Sequence, residues 1–234
     1  MRLAIMQPYF FPYLGYFQLI DAVDQFVFYD DVNFIKNGWI NRNRLAGANL
    51  WHYFTVPLAG ASSNLLIREV RFAADDWRWR RKMFARMSTD YRKAPFREVG
   101  LELLERTLTQ DTDRISELAK KSILSVMSCL GITREVANSG VRYDNRDLSG
   151  TDRVIDICRI EAAQSYINLP GGRELYDRGK FLEAGIDLRF VEPNLLLYPQ
   201  GEAPFQPGLS VLDALMWCGP EGTKKLLRGY SLTS

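Results

Sequence analysis

The sequence is poor in the residues on which many hydrolytic and metal-dependent enzymes rely. It contains a single histidine, His52, and three widely separated cysteines, Cys129, Cys158 and Cys218. Because no CxxC or Cys/His pair is present, a zinc site is not expected. A Ser-His-Asp or Cys-His enzyme would depend on His52, which no neighbouring motif supports. We interpret the cysteines as reduced residues of a cytoplasmic protein and expect their replacement to leave the chemistry intact.

An excess of charge of either sign is also missing. Thirty Lys and Arg residues face 28 Asp and Glu residues, a formal net charge of +2, which argues against a strongly basic nucleic-acid-binding protein. The basic motif WRWRRKMFAR sorts, at helical spacing, into a solvated basic face and an apolar face. Arg80 falls on the apolar face, where an unpaired guanidinium is costly. We therefore expect the Arg80 guanidinium to pair with a carboxylate of the protein or with an anionic group of a ligand.

Charged residues are absent from Leu3 to Ile20, which reads LAIMQPYFFPYLGYFQLI. This length approaches the roughly 18 apolar residues of a membrane span, but Pro8 and Pro12 interrupt a helix, and the polar side chains need hydrogen-bond partners. We therefore expect no membrane span. The pattern predicts a short buried strand, an aromatic loop and a helix from about Leu14. The loop forms either a ligand wall or a core corner, and loops after strands commonly carry function.

Strand and helix patterns alternate at both ends of the chain. Strands are predicted at Leu3–Met6, Gln25–Tyr29, Tyr53–Leu58, Ile67–Phe72, Ser165–Leu169 and Asp187–Val191. Helices are predicted at Leu14–Ala22, Asp75–Ser88, Phe96–Leu108, Asp113–Leu130, Thr151–Ala162, Arg173–Ala184 and Leu209–Cys218. This order predicts an α/β fold with a mostly parallel sheet, Rossmann-like at the N-terminus, and a helical bundle inserted or appended around residues 75–130. No repeat or linker is visible, so we expect one domain.

Polar chemistry is densest between Tyr29 and Leu45. Asp30 and Asp31 close a strand, and carboxylates at the carboxyl end of a parallel strand face the ligand crevice of an open sheet. Successive strand residues point to opposite sides, so we expect only one of the two to enter a site. Lys36 and Arg42 follow among several asparagines, a combination suited to phosphate or carboxylate recognition. The alternative is a hairpin turn at Asn37–Gly38 with exposed polar flanks.

Long strings throughout the chain resemble the WbqC-like protein family of bacteria. They are IMQPYFFPYLGYFQLI, FVFYDDVNFIKNGWINRNRL, GTDRVIDICR, SYINLPGGRELYD and PFQPGLSVLDALMWCG. Genes of this family often lie among those for O-antigen and other surface polysaccharides, where modified amino sugars are made. The resemblance therefore implies a single WbqC-like domain over residues 1–234 and a role in adding an acyl or aminoacyl group to a sugar. It identifies no cofactor and no catalytic residue.

Residue chemistry and the family pattern together give a set of candidate site residues. Asp30 and Asp31 are the candidate catalytic residues. The candidate substrate-binding residues are Gln7, Pro8, Tyr9, Tyr16, Lys36, Asn41, Arg42, Arg80, Asn168, Gly171, Gly172 and Asp213. We expect Gly171 and Gly172 to direct their amides outward, toward an anion. Asp213 has the alternative role of a capping-box carboxylate three residues after Ser210. Gln7, one of the two aspartates, Arg42 and the two glycines should converge on one cleft.

Three functions remain open at this level. The first is a transferase that forms an amide on a nucleotide-linked amino sugar, with an acyl thioester on coenzyme A or a carrier protein as donor. The second is a nucleotidyltransferase or ligase, whose His-x-Gly-His loop would correspond to Tyr13–Tyr16 here; a tyrosine cannot replace imidazolium as a cation at neutral pH. The third is a non-catalytic module that binds a carbohydrate or a carrier protein.

Overall fold

A computed structural model describes residues 1–47, 50–73, 77–194, 197–202 and 204–234. The strands are β1 (Arg2–Met6), β2 (Gln25–Phe28), β3 (Arg42–Gly47), β4 (Leu50–Thr55), β5 (Leu58–Ala59), β6 (Arg71–Phe72), β7 (Glu135–Ala137), β8 (Ser165–Asn168), β9 (Asp187–Pro193) and β10 (Tyr230–Thr233). The α-helices are α1 (Leu14–Ala22), α2 (Arg78–Asp90), α3 (Arg97–Leu108), α4 (Ile115–Leu130), α5 (Gly150–Ile160), α6 (Arg178–Glu183) and α7 (Val211–Leu227).

The main sheet has six strands in the order β10-β9-β8-β1-β2-β7. All neighbouring strands run parallel except β9 and β10, which are antiparallel. Strand β1 is central: the chain passes from it through α1 to β2 on one side, whereas β8 pairs with its other edge. The predicted α/β fold with a mostly parallel sheet is confirmed.

Both faces of the sheet are covered, because alternate strand residues enter two different cores. Ala4 and Phe26 belong to the larger core, which also contains residues of α1, α3, α4 and α7. Leu3, Ile5 and Val27 enter a smaller core with residues of α5 and α6. Strands that are buried on both faces read as continuous apolar runs, as LAIM and QFVF do here. Helices α2–α4 fill the predicted helical region and pack into the larger core.

Several boundaries differ from the expected ones. The strand expected at Ile67–Phe72 is a 3₁₀ turn, Ile67–Glu69, followed by the short β6. The helix expected at Arg173–Ala184 is divided into a 3₁₀ segment, Pro170–Leu175, and α6, because the Asp177 side chain caps a new start by accepting from the amides of Gly179 and Lys180. Strands β3, β7 and β10 escaped prediction because they are short or polar. The predicted start of a helix at Asp75 lies outside the described residues.

A buried ion pair fastens α4 to the carboxyl end of β2. Lys120 Nζ donates to Asp30 Oδ2 at 2.7 Å and to Glu117 Oε1 at 2.9 Å. The other oxygen of Asp30 accepts from Ser139 Oγ at 2.5 Å. The side chains of Lys120 and Asp30 are each only 3% exposed. Across the described residues, no helix combines the length and apolar character needed to cross a membrane.

Replacing Lys120 by Met should lower the free energy of unfolding by about 3–5 kcal/mol, because it leaves the buried Asp30 carboxylate without its cation. Chemical denaturation measures this loss. The exposed neighbour Lys121 is the matched control, and Lys121→Met should change the free energy of unfolding by no more than about 0.5 kcal/mol. The double variant Asp30→Asn/Lys120→Met should recover part of the loss. Equal stability of the two single lysine variants would contradict the assignment.

Candidate functional site

A cavity of about 700 Å³ opens at the carboxyl ends of β1, β2 and β8. Ligands of open α/β sheets bind where neighbouring strands are connected in opposite directions, and β1 and β8 form that switch point here. The volume lies within the range of small-molecule sites. We call it the switch-point cavity. Its lining includes Met6, Gln7, Tyr9, Tyr13, Tyr29, Asp31, Asn33, Ile35, Trp39, Arg146, Ser149, Gly150, Arg153, Asn168, Gly171, Gly172, Leu175 and Tyr176.

The Asp31 carboxylate and the Arg153 guanidinium pair beside this cavity. Arg153 donates to Asp31 Oδ2 at 2.6 Å, and the two side chains are 4% and 0% exposed, respectively. Oδ1 of Asp31 is buried and finds no hydrogen-bond partner among the described residues. A Cβ atom at position 140 would clash with that oxygen, so Gly140 allows the carboxylate its position. Most buried acceptors in proteins have a donor, and exceptions such as this one often have a catalytic role or bind a water molecule or an ion.

Further contacts hold Arg153 in place from behind. Its Nε donates to Asn145 Oδ1 at 2.9 Å, and Asn145 donates in turn to Asp156 at 2.8 Å. The guanidinium carbon lies 4.8 Å from the centre of the Tyr29 ring. Arg153 lies in the first turn of α5, and the residues that start this helix, Ser149 and Gly150, also line the cavity.

The aromatic loop between β1 and α1 serves as both wall and core. Tyr9 and Tyr13 line the cavity, whereas Phe10 and Phe11 are fully buried, so these two phenylalanines cannot stack on a ligand. The loop backbone is fixed by side chains. Asn43 donates to the carbonyls of Phe10 and Phe11 at 3.3 and 3.0 Å.

Tyrosine hydroxyls contribute hydrogen-bond donors to the cavity. Burial raises the pKa of Tyr13 to about 12. Burial also raises the pKa of Tyr9 and, despite the neighbouring Arg153, that of Tyr29. Tyr176 has a raised pKa for the same reason. These phenols therefore remain protonated near neutral pH and can donate to a ligand.

The segment after β8 shapes the other side of the cavity. Asn168 Oδ1 accepts from the Leu169 amide at 2.7 Å, and its Nδ2 donates to Tyr166 at 3.0 Å. The Gly172 amide donates to the Leu169 carbonyl at 2.9 Å, so it is used inside the 3₁₀ turn and does not point outward as expected. At Gly171 an added Cβ would meet no atom within 4 Å, and the backbone does not require glycine there.

The expected cleft is therefore assembled in part. Gln7, Asp31, Gly171 and Gly172 lie together on the switch-point cavity, with Tyr9 and Asn168 beside them. Arg42 does not line it. As expected from strand alternation, only one of the two aspartates reaches the cavity.

Some of the remaining candidate residues support the wall of the cavity from outside. The Tyr16 hydroxyl donates to the Gln7 carbonyl at 2.8 Å, and Pro8 is buried.

Asn41 Nδ2 donates to the Val56 carbonyl at 2.9 Å. Arg42 Nε donates to the Gly38 carbonyl at 3.2 Å. Lys36 is exposed.

Two further candidates lie in separate networks. The Arg80 guanidinium is buried, donates to the Leu108 carbonyl and lies 4.8 Å from the centre of the Trp77 ring. Asp213 is buried on α7 and accepts from Tyr91 and Tyr198, both at 2.7 Å, and from Gln200 at 2.9 Å. Burial raises the pKa of Asp213, and these three donors oppose the shift. The side chain thus holds several segments together and is not a capping-box carboxylate.

The cysteines and the histidine lie away from the cavity lining. Burial raises the pKa of Cys158 to about 12 and also raises those of Cys129 and Cys218. His52 lies on β4, 3.5 Å from Asp90. Among the described residues, no cluster of three or more His, Cys, Asp or Glu side chains could hold a metal ion.

Sequence reasoning did not select Arg146 or Arg153 as site residues. Arg153 lies in the string GTDRVIDICR and belongs to the family pattern, but no local feature of the sequence assigned it a role. The useful signal is its helical position beside the serine and glycine that begin α5. Its pairing with Asp31 depends on tertiary structure, since 122 positions separate the two residues.

The sequence model of the WbqC-like protein family matches residues 7–225. An uncharacterized protein of Mycobacterium tuberculosis is 31% identical over 226 residues, which cover 94% of this chain and 95% of that protein. No solved structure matches the chain.

The two glycines after β8 should respond oppositely to alanine. Gly171→Ala should change the free energy of unfolding by no more than about 0.5 kcal/mol, because its Cβ meets open space. Gly172→Ala should cost about 1–3 kcal/mol, because its Cβ would lie 2.8 Å from the Nδ2 atom of the buried Asn168. Chemical denaturation of both variants gives the comparison. A larger loss for Gly171→Ala than for Gly172→Ala would contradict the geometry described.

Proposed function

The chain belongs to the WbqC-like protein family, and we propose that it is an acyl- or aminoacyl-transferase that forms an amide on a nucleotide-linked amino sugar in surface-glycan biosynthesis. The observation that carries this proposal is the buried Oδ1 atom of Asp31, which has no hydrogen-bond partner among the described residues and lies beside a switch-point cavity of about 700 Å³. An amine that approaches this oxygen supplies the missing donor and finds an acceptor for its proton.

The reaction consumes an acyl thioester and an amine. The amine nitrogen attacks the thioester carbonyl, a C–N bond forms, the C–S bond breaks, and the sulfur leaves as a thiolate. The amine gives up a proton to the Asp31 carboxylate, and this proton passes to the thiolate to complete the thiol product. Arg153 holds Asp31 by its other oxygen, so Oδ1 is the oxygen left to accept this proton. The structure offers no histidine at the cavity to take the same role.

The remaining lining suits a sugar nucleotide. Gln7, Tyr9 and Tyr13 line the cavity, and their amide and hydroxyl groups suit hydrogen bonding to the hydroxyls of a sugar. The positive end of the α5 dipole opens onto the cavity near Ser149, and the Arg146 side chain lies there too. Both favour the negatively charged diphosphate.

Asp31→Asn should lower turnover by about 10²–10⁴, the usual range for loss of a general base. Turnover is measured as thiol release from an acyl thioester that depends on a nucleotide-linked amino sugar, and mass spectrometry identifies the amide. The matched variant is Asp30→Asn, which loosens the contact with Lys120 outside the cavity and should affect stability more than turnover. The assay is run at a temperature at which the melting curves show that both variants are folded. Full turnover by Asp31→Asn would refute the assigned base.

A bulky side chain at position 171 tests the cavity itself. Gly171→Leu should weaken binding of the sugar nucleotide without unfolding the protein, because Gly171 lines the cavity and an added Cβ there meets no protein atom within 4 Å. Titration calorimetry measures the dissociation constant. Ligand binding without any amide product in the wild-type protein would instead support the non-catalytic module.

Nucleotidyl transfer is the second candidate, supported by the order β1, proline loop and α1, with Tyr13 at the start of α1 lining the cavity. Two features weigh against it. Burial keeps the Tyr13 hydroxyl neutral, with its pKa raised to about 12. Tyr16 is fully buried and donates to the Gln7 carbonyl. Pyrophosphate release from nucleoside triphosphates, dependent on a sugar phosphate, would establish this candidate in place of the transferase.

A further inference from the structure

The hairpin of β3 and β4 has one buried face and one exposed face. Cross-strand pairs such as Asn43 with Phe54 and Leu45 with His52 face inward, and Leu45 and Phe54 are buried. The opposite face carries aromatic rings. Trp51 and Tyr53 are 37% and 39% exposed, and the neighbouring Trp39 is 36% exposed. We define Trp39, Arg42, Arg44, Trp51 and Tyr53 as the hairpin face.

Two arginines are held among these rings. The Arg42 guanidinium carbon lies 4.2 Å from the centre of the Tyr53 ring. Arg44 lies 5.5 Å from the ring of Trp39 and 5.2 Å from that of Trp51. Backbone carbonyls fix both side chains: Arg42 donates to Gly38, and Arg44 donates to Gly208 at 3.0 Å. Because both side chains are already ordered, binding a partner costs less of their conformational entropy.

The hairpin face lies in a segment without acidic residues. From Val32 to Arg68 the sequence contains no Asp or Glu, whereas it contains Lys36, Arg42, Arg44 and Arg68. Asp90 approaches the hairpin at His52, whose cross-strand partner Leu45 is buried. The carboxylate therefore lies toward the inner side and leaves the exposed face cationic.

This face is continuous with the switch-point cavity. Trp39 belongs to the hairpin face and also lines the cavity, as does Ile35, which is 56% exposed. We propose that the hairpin face docks an acidic acyl-carrier protein, whose flexible acyl-thioester arm then reaches past Trp39 into the cavity. The proposal rests on the transferase function proposed above, since it names the source of the thioester.

The arrangement of the rings favours a protein surface over stacked bases. Trp51 meets Tyr53 edge to face, with an interplanar angle of 77° at 5.2 Å, and Trp39 is tilted by 48° from Tyr53. Single-stranded nucleic acids stack successive bases on accessible ring faces, whereas here the arginines lie over the rings. Trp, Tyr and Arg together are the residues that dominate binding energy in protein interfaces. A cationic aromatic surface matches an acidic partner in charge.

The binding test uses purified acyl-carrier protein loaded with an acyl group. Wild-type protein should bind it with micromolar affinity that weakens as salt is added. Arg44→Glu and Arg44→Glu/Trp51→Ser should weaken binding at least about tenfold, since charge reversal at a contact costs more than 1.4 kcal/mol. The control is Arg178→Glu, an exposed arginine on α6, across the sheet. No carrier binding, or equal weakening by the control, would overturn the proposal, as would tighter binding of single-stranded oligothymidine.

A kinetic comparison separates this proposal from the transferase function. The same variants should keep wild-type turnover with a small acyl-pantetheine thioester and lose it with the carrier-borne donor. Carrier binding that depends on Arg44 in a protein that makes no amide would support the docking surface and refute the transferase. Amide formation that is equally fast from acyl-coenzyme A and from the carrier, without effect of the hairpin variants, would leave the transferase standing and overturn the docking surface.

Discussion

Two consecutive carboxylates at the end of β2 bind cations on opposite sides of the sheet, and the rest of the structure is arranged around them. Asp30 and Asp31 follow β2, which ends at Phe28: Asp30 turns toward α4 and pairs with Lys120, while Asp31 turns toward α5 and pairs with Arg153. Each pair is nearly inaccessible to solvent. The helical layers on both faces are thus fastened to the same point of the sheet, at the carboxyl end where a ligand would bind.

Such pairs are better suited to fixing geometry than to supplying stability. Burial removes the hydration of both ions, and their attraction roughly offsets that cost, but removing one partner leaves a costly charge behind. The two aspartates differ in how many of their carboxylate oxygens accept a hydrogen bond. Both oxygens of Asp30 have protein donors, whereas Asp31 retains one oxygen without a donor among the described residues. This difference is the reason that the proposed base is Asp31 and not Asp30.

The sequence allowed prediction of the elements whose signal is local. The buried strand at Leu3–Met6, the helix from Leu14 and the alternation of Asp30 and Asp31 follow from apolar patterning, proline positions and strand geometry. Contacts between distant segments could not be predicted. Arg153 and Lys120 find their partners only after α4 and α5 have packed on the sheet. Arg42 was predicted to lie at the cavity because a cation among asparagines suggests a ligand site, but two of its nitrogens donate to the carbonyls of Gly38 and Asn37 and the side chain lies on the hairpin face.

The hairpin of β3 and β4 contacts the loop that forms a wall of the switch-point cavity and also carries the hairpin face. On its inner side Asn43 donates to the carbonyls of Phe10 and Phe11, and Phe54 packs 5.5 Å from Phe10, so the hairpin holds the loop that carries Tyr9 and Tyr13. The Trp39 carbonyl accepts from the Phe10 amide at 3.1 Å, although the Trp39 ring lies on the outer side. The hairpin therefore supports the loop of the cavity wall on its inner side and carries the hairpin face on its outer side. A partner on the outer face would rest on the same hairpin that holds the loop of Tyr9 and Tyr13, so the proposed donor docking and the proposed substrate recognition would share one support.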